Sequence, residues 1–150
     1  MKKSAGIVLF RKKGDSVEFF LVHPGGPFWK GKDKGAWSIP KGEFTDEEPL
    51  QAATREFQEE TGKEIQGKFI ELSPTRLKSG KWVYAWAVEG DLDLESIVSN
   101  TFTIEWPYKS GKRQTFPEID KAGWFTLEKA IELINAAQVP LLNDLMSKLK

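Results

Sequence analysis

Between Pro49 and Gly62 the chain spells a helix whose two faces make opposite demands, and this segment constrains the fold more than any other. Leu50, Ala53, Phe57 and Thr61 recur at helical spacing and form one apolar stripe. Pro49 suits the first helical position and Gly62 suits the stop. With successive residues turned about 100° apart, Glu56, Glu59 and Glu60 gather within about one third of the circumference, largely opposite that stripe. Burying the stripe against a sheet therefore leaves three carboxylates projecting together, and such neighbours destabilise a helix by roughly a few tenths of a kcal/mol per pair. A divalent cation would offset that cost. Magnesium takes oxygen ligands and typically uses one or two protein carboxylates plus waters and substrate phosphates. Arg55 lies four residues before Glu59 and can pair with it, fixing the direction of that carboxylate.

Around this helix the apolar runs read as strands. Gly6 to Phe10 and Val17 to Val22 form two, joined by a turn at Lys12 to Asp15. His23 to Gly35 is glycine-rich and carries Phe28, Trp29 and several lysines, which predicts a long functional loop. Ala36 to Pro40 reads as a short strand. Beyond the helix, residues 68–78 and 81–88 flank Ser79-Gly80 as a hairpin, and Thr101 to Trp106 is a further strand. The stretch PYKSGKRQTFPE (107–118) reads as a polar loop, and Ala122 to Phe125 as the last strand. Thr126 suits the cap of a helix over residues 127–137, and residues 139–149 form another. Strands first, one helix in the middle and helices at the end predict an α+β arrangement, with residues 1–150 as a single domain.

Composition removes competing chemistries. Cysteine is absent, which excludes disulfides, thiolate zinc sites and a cysteine nucleophile, and the one histidine, His23, excludes a multi-histidine metal cluster. His23 is expected to be structural. Twenty-two basic against twenty-two acidic side chains leave no footprint for duplex nucleic acid, so a phosphate ligand must be held by a local site. No apolar run is long enough for a membrane span, and the basic-then-apolar start reaches Arg11 to Gly14 too soon for a secretory segment. A cytoplasmic protein is expected.

The ordered string PKGEFTDEEPLQAATREFQEETG from Pro40 resembles the Nudix box, matching it at Gly42, Glu47, Arg55, Glu56, Phe57, Glu59, Glu60 and Gly62. It departs from that pattern in three places: only four residues separate Gly42 from Glu47, one fewer than usual; Asp46 stands where glycine is common; and Lys63 replaces an aliphatic residue. The resemblance implies an α/β/α sandwich with a mixed sheet between helices, a magnesium or manganese cofactor, and hydrolysis of a diphosphate bond in a nucleoside diphosphate-linked substrate. By position, Glu56, Glu59 and Glu60 are similar to the family's metal ligands, with the Gly42 carbonyl as a further one. Glu56 or a more distal glutamate would be the base, and Arg55 the orienting arginine. Glu118 precedes Trp124 by the interval at which many Nudix proteins place a glutamate that acts as base or extra ligand. Lys41 resembles the basic residue found before the glycine in several subfamilies.

For substrate binding, the sequence offers Trp29 as a stacking ring, and Lys109 and Arg113 with Tyr108 as cations and a ring that could meet a polyphosphate and a base. The PKGE segment and the SAGIVLF opening are most similar to diadenosine polyphosphate hydrolases and NTP pyrophosphohydrolases. The expected partner is thus a small nucleotide. The alternative is a non-catalytic nucleotide-binding or regulatory Nudix domain, and a third reading, a structural domain with an acidic solvated helix, predicts no metal binding.

Overall fold

The computed structural model describes residues 2–150. In chain order it contains β1 (Lys3–Lys13), β2 (Ser16–Pro24), β3 (Lys41–Phe44), α1 (Pro49–Thr61), β4 (Ile70–Glu71), β5 (Thr75–Arg76) and β6 (Trp82–Glu89). There follow β7 (Thr101–Glu105), β8 (Arg113–Pro117), β9 (Ile119–Thr126), α2 (Leu127–Leu133) and α3 (Val139–Lys148). The main sheet runs β4-β6-β1-β2-β9, with β3 also on β1 and β5 also on β6.

β1 decides the shape of this sheet. One of its edges lies parallel to β6 from Lys3 to Phe10. The other is shared: β3 pairs antiparallel with Lys3 to Gly6, and β2 with Phe10 to Lys13. Because β2 and β3 take different halves of one edge, the sheet forks, and the chain returning from β2 runs between the prongs. There Ile7 N–H donates to the Pro40 carbonyl at 3.1 Å, and Val22 and Ser38 exchange two hydrogen bonds of 2.9 Å. Residues 36–40, expected as a strand, therefore make only isolated bridges, to Val22 and Ile134, and the true strand begins at Lys41.

Successive β1 side chains feed opposite faces, as strand geometry requires. Ile7 and Leu9 join Phe20, Val22, Ala52, Ala53 and Phe57 under α1. Val8 and Phe10 join Phe19, Leu21, Leu133, Leu141, Leu142 and Leu145 under α2 and α3. A helix layer covers each face, so β1 and β2 are apolar almost throughout rather than alternating. The result is the expected α+β sandwich with a mixed sheet between helices.

Two further expectations are corrected. The helix expected over 127–137 stops at Leu133, because Ile134 is extended (φ −73°, ψ 151°) and its segment bonds Trp37 instead. Residues 113–117, expected as loop, form β8, paired with β7 outside the main sheet. Their polar side chains give no apolar period. The pairing is held by a 2.8 Å Thr103–Thr115 hydroxyl contact and Phe102 against Phe116.

Candidate active site

α1 presents the acidic group as its pattern requires. Pro49 opens it, and Gly62 closes it in the left-handed conformation (φ 75°), its N–H returning to the Gln58 carbonyl. Ala52, Ala53, Phe57 and Thr61 are buried, which turns Arg55, Glu56 and Glu59 away from the sheet.

Arg55 is the hub of this surface. Its Nη1 donates to Glu56 Oε1 at 2.9 Å and to Glu59 Oε2 at 2.7 Å. Its Nε and Nη2 fork onto Glu47 at 2.6 to 3.0 Å. The expected Arg55–Glu59 pair is present, and Arg55 also holds Glu47 despite the shortened loop. Three carboxylates around one guanidinium raise the Arg55 pKa, with Glu47 as the largest cause, and hold Glu47 below the ordinary carboxylate range.

Glu56, Glu60 and Glu118 are not held low in this way. Burial first, then repulsion from Glu56 and Glu118, pushes Glu60 up to about 8, partly offset by the Lys41 ammonium and backbone. Glu56 is raised by burial and by Glu59, against the pull of Arg55. Glu118 is raised by burial and by Glu59. These mutual effects place Glu118 in one electrostatic cluster with the helix glutamates, although it lies between β8 and β9. Its backbone is clamped on both sides, Glu118 N–H to the Asn100 carbonyl and Gly25 N–H to the Glu118 carbonyl, each at 2.8 Å. Lys41, at the start of β3, is lowered by burial and by Lys81, against the pull of Glu60 and Glu56.

Gly42 lies directly against the Glu56 carboxylate, where an added Cβ would overlap it. Among the described residues no three acidic side chains already enclose one point; Arg55 engages two of them. The donor set nonetheless fits magnesium or manganese: hard oxygen ligands, uncompensated negative charge, and a glycine leaving room beside the central carboxylate.

A cavity of about 230 Å³ opens beside this cluster in the fork of the sheet, and Glu60, Glu118, Lys41, Trp29, Trp37 and Gln138 are among its lining. Of the expected substrate contacts, Trp29 and Lys41 line it. Tyr108 and Lys109 sit in the exposed turn between β7 and β8, Arg113 begins β8, and none of the three lines the cavity. Trp37 and Gln138 carried no sequence signal. Gln138 is buried, its Oε1 accepting from Ile39 N–H at 3.0 Å and its Nε2 donating to Ser38 Oγ at 3.0 Å. Nothing in an isolated glutamine predicts a wall position built from residues so far apart in sequence.

The family described as the NUDIX domain matches residues 1–145. No curated protein sequence matches the chain. Among solved structures, the chain is similar to a C. elegans Ap4A hydrolase binary complex, with TM-score 0.68 and 23% identity, covering 97% of each chain. It is also similar to the NUDIX domain of Shewanella oneidensis NrtR complexed with ADP ribose, with TM-score 0.67 and 15% identity over 99% of this chain and 88% of that one. A third likeness is to MutT from a study of Aliivibrio salmonicida and Vibrio cholerae, with TM-score 0.56 and 16% identity over 97% and 96%. At these identities the structures speak for the fold, while the family match spans almost the whole chain and includes the glutamate helix. The chain belongs to the Nudix family.

Proposed function

We propose that residues 1–150 form one catalytic domain that hydrolyses a diphosphate bond in a nucleotide with the help of magnesium or manganese. The observation that carries this reading is the meeting of Glu56, Glu59, Glu60 and Glu118 with Lys41 at a cavity walled by Trp29 and Trp37. Glu56, Glu59 and Glu60, with the Gly42 carbonyl, hold the cation. When bound, it neutralises phosphate charge and acidifies a water. Arg55 keeps Glu59 and Glu56 aimed. Lys41 adds a positive charge for the phosphates, and Trp29 offers a ring for a base. Among the described residues Glu118 has no side-chain hydrogen-bond partner and its pKa is raised, which suits it to accept the proton of the attacking water, with Glu56 the other candidate. Lys109, Arg113 and Tyr108 can meet only the outer part of an extended substrate.

Within this class the dinucleoside polyphosphates are the first substrate, supported by the PKGE segment and by likeness to an Ap4A hydrolase; nucleoside triphosphates are the second. Incubation with a nucleotide panel and either cation tests the proposal. AMP plus ATP from diadenosine tetraphosphate supports the first substrate, and monophosphate plus pyrophosphate supports the second. Nucleotide binding without turnover under either cation would instead establish the regulatory alternative.

A more local test uses Gly42. The new methyl of Gly42→Ala must displace the Glu56 carboxylate, so turnover is expected to fall ~10- to 100-fold, with the fold retained. Undiminished turnover would remove Glu56 from the site.

A further inference from the structure

His23 has no place in the chemistry above, yet it is 1% exposed at the end of β2 and bonded on both sides. Its Nδ1 stands 2.7 Å from Asp120 Oδ1, and its Nε2 stands 2.6 Å from the Lys32 carbonyl oxygen. Both neighbours are acceptors. A neutral imidazole has one N–H and one lone pair, so it would set that lone pair against an oxygen at hydrogen-bonding distance. Only the doubly protonated ring donates to both.

The strand register is arranged for this contact. β2 and β9 pair His23 with Lys121 and then Pro24 with Ile119, which leaves Asp120 as an extra residue, and such bulges re-aim side chains. Trp37 packs edge-on at 5.4 Å, and the nearby Asp33 carboxylate is engaged by Trp37 Nε1 at 2.7 Å. The carboxylate bonded to the ring is that of Asp120 on β9, while Asp33 in the loop is held by Trp37.

The two acceptors flank residues that line the cavity, Lys32 in the loop of Trp29 and Asp120 directly after Ile119. Lys32 closes a turn with Trp29, its N–H donating to the Trp29 carbonyl at 3.1 Å. Asp120 lies two residues beyond Glu118. We propose that His23 is a positioning residue, whose two N–H groups tie the loop bearing Trp29 to the strand that follows Glu118 and so fix the width of the nucleotide cavity. What the cavity holds rests on the hydrolase reading; the tie itself does not.

Because His23 is the one histidine, imidazole ¹⁵N NMR reads its two nitrogens without overlap. Both are expected to carry N–H groups, with or without nucleotide, and a ring with one bare nitrogen overturns the proposal. In kinetics, His23→Gln is expected to raise KM about tenfold with kcat little changed, as Trp29→Ala should, and the double variant should be no worse than Trp29→Ala alone. Additive losses, or a fall in kcat alone, overturn it. Asp120→Asn keeps an acceptor and should retain near wild-type KM, whereas Asp120→Ala should match His23→Gln; equal effects of the two also overturn it. If no nucleotide is turned over, the hydrolase reading fails, but the NMR and calorimetric nucleotide affinities of these variants still decide this proposal. If His23→Gln does not fold, the wild-type spectrum and the Asp120 pair decide it.

Discussion

Exchanging Glu60 for Gln is expected to lower turnover by ~100-fold or more while leaving the protein folded and melting at or above the wild-type temperature. Gln preserves the shape and one oxygen acceptor but removes the charge. Glu60 is the carboxylate of the cluster whose charge is most disfavoured, being raised to about 8 by burial and by repulsion from Glu56 and Glu118. Neutralising it relieves that repulsion, so stability should not fall. The same charge is what a divalent cation requires. Activity and stability therefore move in opposite directions. Glu59→Gln should cost a comparable factor in rate, but no gain in stability is expected, since Glu59 already receives Arg55 Nη1 at 2.7 Å. Rates at saturating magnesium, with melting temperatures in chelator, check both halves. Full activity in both variants would remove the helix glutamates from the reaction.

The second large effect concerns pH and the removal of metal. For a carboxyl raised in the folded state, the unfolded chain loses its proton near the ordinary 4.5 while the folded chain keeps it until about 8. Between those values the folded state binds more protons, so stability falls as pH rises and then levels off. Glu56 and Glu118, also raised, act in the same direction. Lys41, lowered from 10.5, has the opposite sign, but over the alkaline range below that value. The loss is on the order of 2–4 kcal/mol, or roughly 5–10 °C in melting temperature for a chain of this size. In chelator the melting temperature should therefore drop between about pH 5 and about pH 8. Magnesium or manganese favours the ionised carboxylates and should restore most of the loss at the alkaline end. Glu60→Gln should flatten the slope. A melting temperature in chelator that is level or rising across this range would show that these carboxylates are not buried against one another.

Much of α1 was legible because its information is local. The spacing of Ala53, Phe57 and Thr61 fixes the buried side, Pro49 and Gly62 fix the ends, and helical geometry then dictates where Arg55 and the glutamates project. The strand runs in β1 and β2 were legible for a similar reason, although their full lengths were not, since Lys3 and Lys13 are ordered by pairing rather than by apolar character. Other stretches were misread because their conformation depends on a distant partner. Residues 36–40 divide their backbone bonds between β2 and the end of α2. Arg113 to Pro117 become a strand only because β7 lies beside them.

The sequence by itself determined the sandwich of helices and sheet, the family, and the acidic face of α1, all of which follow from periodicity and from one contiguous motif. Only the tertiary structure decided that β2 and β3 share an edge of β1, opening the cavity between them. The same packing brings Glu118 to Glu56, Glu59 and Glu60, joins His23 to Asp120 and Lys32, and leaves Tyr108, Lys109 and Arg113 away from the cavity lining. The physical reason is range: helical spacing acts over a few residues, whereas these contacts require strand register and chain return, which no local pattern of side chains encodes.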